Sequence, residues 1–194
     1  MQKHNRQHER VIGLALSSSA FGYALFEGEK LVDWGLPSTK QSENENAWCM
    51  ANIDRLLKLY EPDIVVMEDV FAKGSARAPR VRRLAKQVET MAANRKAHVR
   101  RIPKLDVIKT VCGTEEATRH DMAMRIAEIF PNELSFRLPK RRGIGDPEDR
   151  RIRMFEAVAL ALIASGRLLF TKTNASPAIF SRALNPLNAN QIHG

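Results

Sequence analysis

The sequence predicts one α/β domain, in which an antiparallel meander of three strands feeds parallel strands covered by helices. Three observations carry this expectation. Three short apolar runs divided by tight turns precede Gly35, Ile64–Met67 is apolar without a break, and other stretches place apolar residues at helical spacing.

Residues 1–9 are polar and read as a loose arm ahead of a domain over residues 10–170. Val11–Leu16, Phe21–Phe26 and Lys30–Gly35 read as strands, and the turns Ser17-Ser18-Ser19 and Glu27-Gly28-Glu29 between them suit hairpins. From Asn44 to Tyr60, the residues Trp48, Ile53, Leu56, Leu57 and Tyr60 share one stripe, which predicts a helix. Pro62 and Asp63 punctuate it. Ile64-Val65-Val66-Met67-Glu68 lacks polar alternation, as does a strand buried on both faces. A Gly/Ser/Pro-bearing loop leads to a basic helix over Pro79–Lys96, and His98–Ile102 reads as a short edge strand. Helices over Lys104–Val111 and Ala117–Ile129 precede a basic loop, Pro139–Gly145. The last helix is expected over Pro147–Ala164, because Asp146 suits a cap and proline suits a first helical turn. Periodicity disappears after Gly166, and 171–194 reads as a tail.

The 194 residues are 44% hydrophobic and 27% charged, which favours a packed core over wholesale disorder. Lys and Arg number 31 against 22 Asp and Glu, a formal net charge of +9. That excess points to a polyanionic partner, most simply nucleic acid. No apolar run approaches the roughly 20 residues that span a bilayer. No signal-peptide stretch follows the polar start. Two cysteines, Cys49 and Cys112, are too few for a disulfide framework or a four-cysteine zinc site. A membrane protein, a secreted mini-protein and a zinc-finger array are set aside, and the cytoplasm is the expected compartment.

Glu68 and Asp69 stand where the apolar run Ile64–Met67 stops, and sites in open α/β sheets gather at the carboxyl ends of strands. An acid closing such a run is costly without a partner, which favours a functional Glu68 over a mere first loop residue. Asp149, Arg153 and Glu156 lie four and three residues apart, so on a helix from Pro147 they share one face. A surface salt bridge between Asp149 and Arg153 is an equally good account of Asp149. Glu156 opens the small apolar run Ala157–Leu162, suited to close packing on a sheet. Carboxylates brought together repel unless cations lie between them, and hard oxygen ligands select magnesium or manganese. Two such ions about 4 Å apart serve phosphodiester cleavage.

These residues resemble the RuvC-like Holliday-junction resolvases of the ribonuclease H-like superfamily. Val11-Ile12-Gly13-Leu14 with Phe21-Gly22-Tyr23-Ala24 is similar to the family's first hairpin, and Pro62–Glu68 to its central strand ending in a catalytic Glu. Lys109–Gly113 with Ala117–Met122 resembles its helical segment, and Glu156-Ala157-Val158-Ala159-Leu160-Ala161 its closing motif. The resemblance covers roughly residues 10–165. It implies a ribonuclease H-like fold with a mixed five-stranded sheet. It also implies a magnesium- or manganese-dependent endonuclease acting on branched DNA, and a homodimer. Glu68, Glu156 and Asp149 would ligate metal, with Asp69 nearby. Three positions depart from the pattern. Ala15 stands where the family has a metal-bridging Asp, Glu156 stands where Asp is usual, and Arg153 stands where the family has an acid or His. The second reading is therefore a nucleic-acid-binding protein that keeps the fold and has lost cleavage. A third, an RNA-associated structural protein, rests on charge alone.

Between Lys73 and Arg101 ten basic residues face one acid, Glu89. Arg77, Arg80, Arg82, Arg83 and Lys86 in this run, with Lys109, Arg119, Lys140, Arg141 and Arg142, are the expected DNA contacts. A solvated helix face is the usual meaning of a charge run, but so one-sided a balance favours phosphate contact. Few aromatics interleave these cations, which argues against base stacking on single strands. His4, His8, His98 and His120 lack partners at ligand spacing, and the cysteines read as packing residues. The serines at 17–19 admit a phosphate cradle of the actin-like ATPase kind, but the chain is too short for the second domain such proteins need.

Overall fold

The computed structural model describes residues 8–18, 20–37, 44–141, 143 and 145–166. The arm up to residue 7 and the tail over 171–194 lie outside them.

The meander forms as its turns dictate. β1 (Arg10–Leu16) and β2 (Phe21–Glu27) pair antiparallel from Arg10 opposite Glu27 to Leu16 opposite Phe21. β3 (Lys30–Gly35) continues antiparallel beside β2, with an irregularity at Leu25/Phe26. On the other side of β1, β4 (Ile64–Glu68) runs parallel to it, and β5 (His98–Ile102) runs parallel to β4 as the edge. The order is β3-β2-β1-β4-β5, the mixed five-stranded sheet expected from the sequence.

Alternation of side chains divides the core between the sheet's two faces. Val11, Ala15, Ala24, Phe26 and Val66 pack with α3 (Lys104–Cys112), α4 (Arg119–Ile129) and α6 (Ile152–Ala164). Ile12, Leu14, Leu25, Val65 and Met67 pack with α1 (Glu45–Tyr60) and α2 (Pro79–Asn94). A short α5 (Pro131–Leu134) and a 3-10 turn over Ser135–Arg137, neither expected from the sequence, bury Leu134 behind α4. No helix among the described residues is long and apolar enough to cross a membrane.

α6 lies directly on the β1–β2 hairpin because both strands offer a glycine beneath it. A Cβ at Gly13 would stand 2.1 Å from the Ala157 carbonyl oxygen, and one at Gly22 would stand 2.3 Å from that of Arg153. The small side chains of Ala157 and Ala161 complete this close approach, as the apolar run after Glu156 predicts.

The structure corrects one boundary that matters for the site. The last helix begins at Ile152 rather than Pro147. The Asp149 carboxylate accepts the Arg151 amide at 2.8 Å, a local turn that competes with helical pairing. Asp146 likewise accepts from the Gly143 amide at 3.0 Å instead of capping a helix.

Candidate functional site

The parallel strands end at one cleft. Leu14 pairs with Met67, so Ala15 on β1 and Glu68 on β4 occupy neighbouring ends, both toward α3 and α6. Glu156 reaches the same cleft from α6, whose place is set by the glycine contacts beneath it. It is 9% exposed, the only buried charged residue among those described. Lys104, at the start of α3, and Arg119, at the start of α4, line the cleft with them, over Val107 and Leu160. Thr118 and Asp121 fix the α4 start by a reciprocal capping box, and so fix Arg119.

Each carboxylate here already holds a guanidinium. Arg77, from the loop between β4 and α2, grips both oxygens of Glu68, its Nε donating to Oε1 at 2.9 Å. Such two-point pairs are among the stronger charge-assisted contacts. The bond from Glu68 holds the Arg77 guanidinium above its ordinary pKa. Arg153 donates to Glu156 at 2.7 Å and to Glu148 at 3.1 Å. Arg119 donates to both oxygens of Glu148, at 2.7 and 2.8 Å. Its Nε stands 3.1 Å from Glu156 Oε1, an ion pair out of line for a hydrogen bond. Arg119, Glu148, Arg153 and Glu156 thus close a four-membered ring of alternating charge, which ties the start of α4 to the start of α6. Burial pushes the Glu148 carboxyl up, but the Arg119 hydrogen bond and the charges of Arg119, Arg153 and Lys104 more than reverse this, leaving it below its ordinary value. Burial, then Arg119, lower the Lys104 ammonium, while Glu68 and Glu156 oppose them.

Three carboxylates, Glu68, Glu148 and Glu156, therefore meet four cations, Arg77, Arg119, Arg153 and Lys104. A pair of divalent ions needs an excess of free carboxylate oxygens, whereas this set is already positive by one charge. Among the described residues no three His, Cys, Asp or Glu side chains are grouped to hold a metal. The donor set as folded does not fit the expected magnesium or manganese pair.

The remaining expected residues have other partners. Asp149, ahead of α6 and not on its face, pairs with Arg151, whose hydrogen bond pulls its carboxyl below the ordinary value. Asp69 accepts the Phe71 amide at 3.0 Å in a loop turn. Glu148 and Lys104 were not anticipated. Glu148 stands five residues before Arg153, a spacing no helical periodicity marks, and Lys104 reads locally as one more basic residue. Ser17 spends its hydroxyl within its own turn, donating to Ala20 at 2.7 Å, and Ser19 lies outside the described residues. Burial pushes the Cys112 thiol up to about 11 and raises that of Cys49.

The basic run is less one-sided in space than along the chain. Arg77 belongs to Glu68, Arg80 pairs with Glu45 at 3.0 Å, and Arg95 pairs with Asp54. Arg101 holds Glu89, and Arg82 donates to the Ser75 carbonyl. Lys86 and Arg101 lie over the exposed Phe71 ring, at 5.6 and 5.3 Å from its centre. Arg83 and Lys73 on this side, and Lys140 and Arg141 on the loop before α6, are exposed. Lys109 pairs with Glu115, Arg119 belongs to the ring, and Arg142 lies outside the described residues.

No family model and no curated protein sequence matches the chain. Solved structures do. Thermus thermophilus RuvC superposes with a TM-score of 0.59 at 15% identity, over 86% of this chain and 98% of that one. The chain carries the fold of RuvC and other Holliday-junction resolvases. The same Thermus protein in complex with a Holliday-junction substrate gives 0.58 at 17% identity, over 84% and 98%. The yeast mitochondrial Holliday junction resolvase Ydc2 gives 0.55 at 15%, over 85% and 80%. Within this resolvase fold, the cleft described above lies at the carboxyl ends of the two central parallel strands, β1 and β4.

Proposed function

We propose that this protein binds branched or duplex DNA through its backbone, and that its acidic centre is closed by internal arginines rather than set for metal-dependent cleavage. The observation that supports this best is the pairing of Glu68 with Arg77 beside Ala15, the position at which the resemblance expects an Asp. The exposed cations Arg83, Lys86, Lys140 and Arg141, with Arg142 next in sequence, are the proposed phosphate contacts. Shape and phosphate spacing, not base edges, would be read. An intracellular polyanion of this kind agrees with a cytoplasmic home. A homodimer would present two such clefts, and light scattering on the purified chain reads its mass.

A second reading keeps the endonuclease. Glu68 and Glu156 share one cleft in a fold found in Holliday-junction resolvases, which favours structure-specific cleavage if Arg77 gives up Glu68. In that reading Asp149 and Asp69 would have to leave their present partners to serve as ligands. One experiment decides between them. Junction, duplex and single-stranded DNA are incubated with the protein and magnesium or manganese, and binding and cutting are followed on the same gels. Tight junction or duplex binding with intact strands is expected. Cutting by the unaltered chain installs the nuclease, and absence of binding to any DNA removes both readings.

A further inference from the structure

We infer that Arg77, Arg119 and Arg153 are the resident cations of this cleft, so that the chain itself neutralises its carboxylates and excludes divalent metal, with Arg77 as the latch on Glu68. The inference deepens the DNA-binding reading and rests on it for its purpose, but it is tested on the protein alone.

Several independent features carry it. The pairing is complete, because every carboxylate of the cluster has at least one guanidinium and Glu148 and Glu156 each have two. It is drawn from three stretches of chain, residues 68–77, Arg119 and residues 148–156, and Arg119 joins the last of these from 29 residues away. Arg77 comes from the β4–α2 loop, Arg119 from the start of α4, Glu148 from the loop before α6, and Arg153 and Glu156 from α6. The pairs are also partly withdrawn from water, with side-chain exposures of 17% and 16% for Arg77 and Glu68 and 15% and 11% for Arg153 and Glu156. At such sites removing one partner leaves an uncompensated charge.

Ala15 fits the same design. An acid at this position would add a fourth carboxylate beside Glu68, bringing the cluster to four against four. A methyl group instead leaves the net charge positive and the floor of the cleft apolar. Arginine suits the latch because its planar fork meets both carboxylate oxygens at once and never deprotonates, which lysine does not match.

The test is manganese binding, followed by the loss of the free-ion electron paramagnetic resonance signal. Melting temperature in chelator and in magnesium is measured alongside. The unaltered full chain should leave the manganese signal unchanged at millimolar metal and melt at one temperature in both solutions. The double variant Ala15→Asp/Arg77→Gln should gain manganese affinity by about tenfold or more, the scale on which a cation site's supporting groups act. Arg77→Lys, which keeps the charge, should not gain it. Sub-millimolar manganese binding by the unaltered chain overturns the inference and needs no variant to fold. A folded double variant that gains nothing overturns the latch role of Arg77. DNA binding, measured separately, fails or succeeds independently of either result.

Discussion

Arg153 and Glu156 face each other one turn apart on α6, joined at 2.7 Å, and the backbone of Arg153 rests on Gly22 of β2. The carboxylate ring is therefore built on the packing of a helix against a hairpin. Whatever moves α6 moves the ring.

The ring should be measurable in stability. Arg153→Ala leaves Glu148 and Glu156 sharing Arg119, so neither is orphaned, and the cost falls below the about 3–5 kcal/mol of an uncompensated charge at a buried pair. Glu148 is about one-third exposed, so solvent reduces the effect, and about 2–3 kcal/mol is expected. Urea unfolding at neutral pH reads this from the midpoint at unchanged slope. A shift under about 0.5 kcal/mol, the size of an ordinary surface change, would show the ring to be energetically idle.

Gly13→Ala and Gly22→Ala should each destabilise the fold, because the contact they crowd is backbone that cannot turn aside. Overpacking of this kind typically costs about 1–3 kcal/mol, and more is expected where α6 has to lift. Circular-dichroism melts provide the comparison. Wild-type melting for either variant would mean that α6 does not sit on the hairpin as described.

Stability should fall in acid through named groups. Glu148, Asp149 and Asp121 all have folded-state pKa values below their ordinary ones, so the unfolded chain binds their protons first. Their contribution is fully present above the ordinary values, 4.5 for Glu148 and 3.8 for the two aspartates, and is lost as pH drops through the lowered ones. Denaturation midpoints taken from neutral pH downward should stay level until near pH 5 on account of these groups and then decline. Glu148→Gln should flatten the upper part of that decline, and an unaltered curve would discharge Glu148 from the role.

DNA affinity should depend steeply on salt. Each phosphate neutralised contributes a slope of about −0.9 in the logarithm of affinity against that of salt concentration. Arg83→Gln and Lys140→Gln should each make the slope shallower by about one such step and weaken all sequences alike. Loss of discrimination at particular bases instead would contradict backbone recognition.

The sequence by itself determined the strands, the five longer helices apart from where the last one starts, and the two glutamates worth watching. The short apolar runs of β1 and β2, the unbroken run of β4 and the helical stripe of α1 are local patterns, and burial reads them one element at a time. Glu68 and Glu156 were marked by their places at a strand end and on a small-residue run, and Ala15 by the resemblance alone. What only the tertiary structure decided is which charges meet. The run from Lys73 to Arg101 has one acid along the chain, yet Glu45, Asp54 and Glu68 reach it from other segments. Asp149 lost its expected face when its own carboxylate captured the Arg151 amide and delayed α6, and Glu148 joined the ring in its stead. Hydrophobic burial follows sequence spacing, whereas Coulomb energy follows distance in space, which no spacing along the chain reveals.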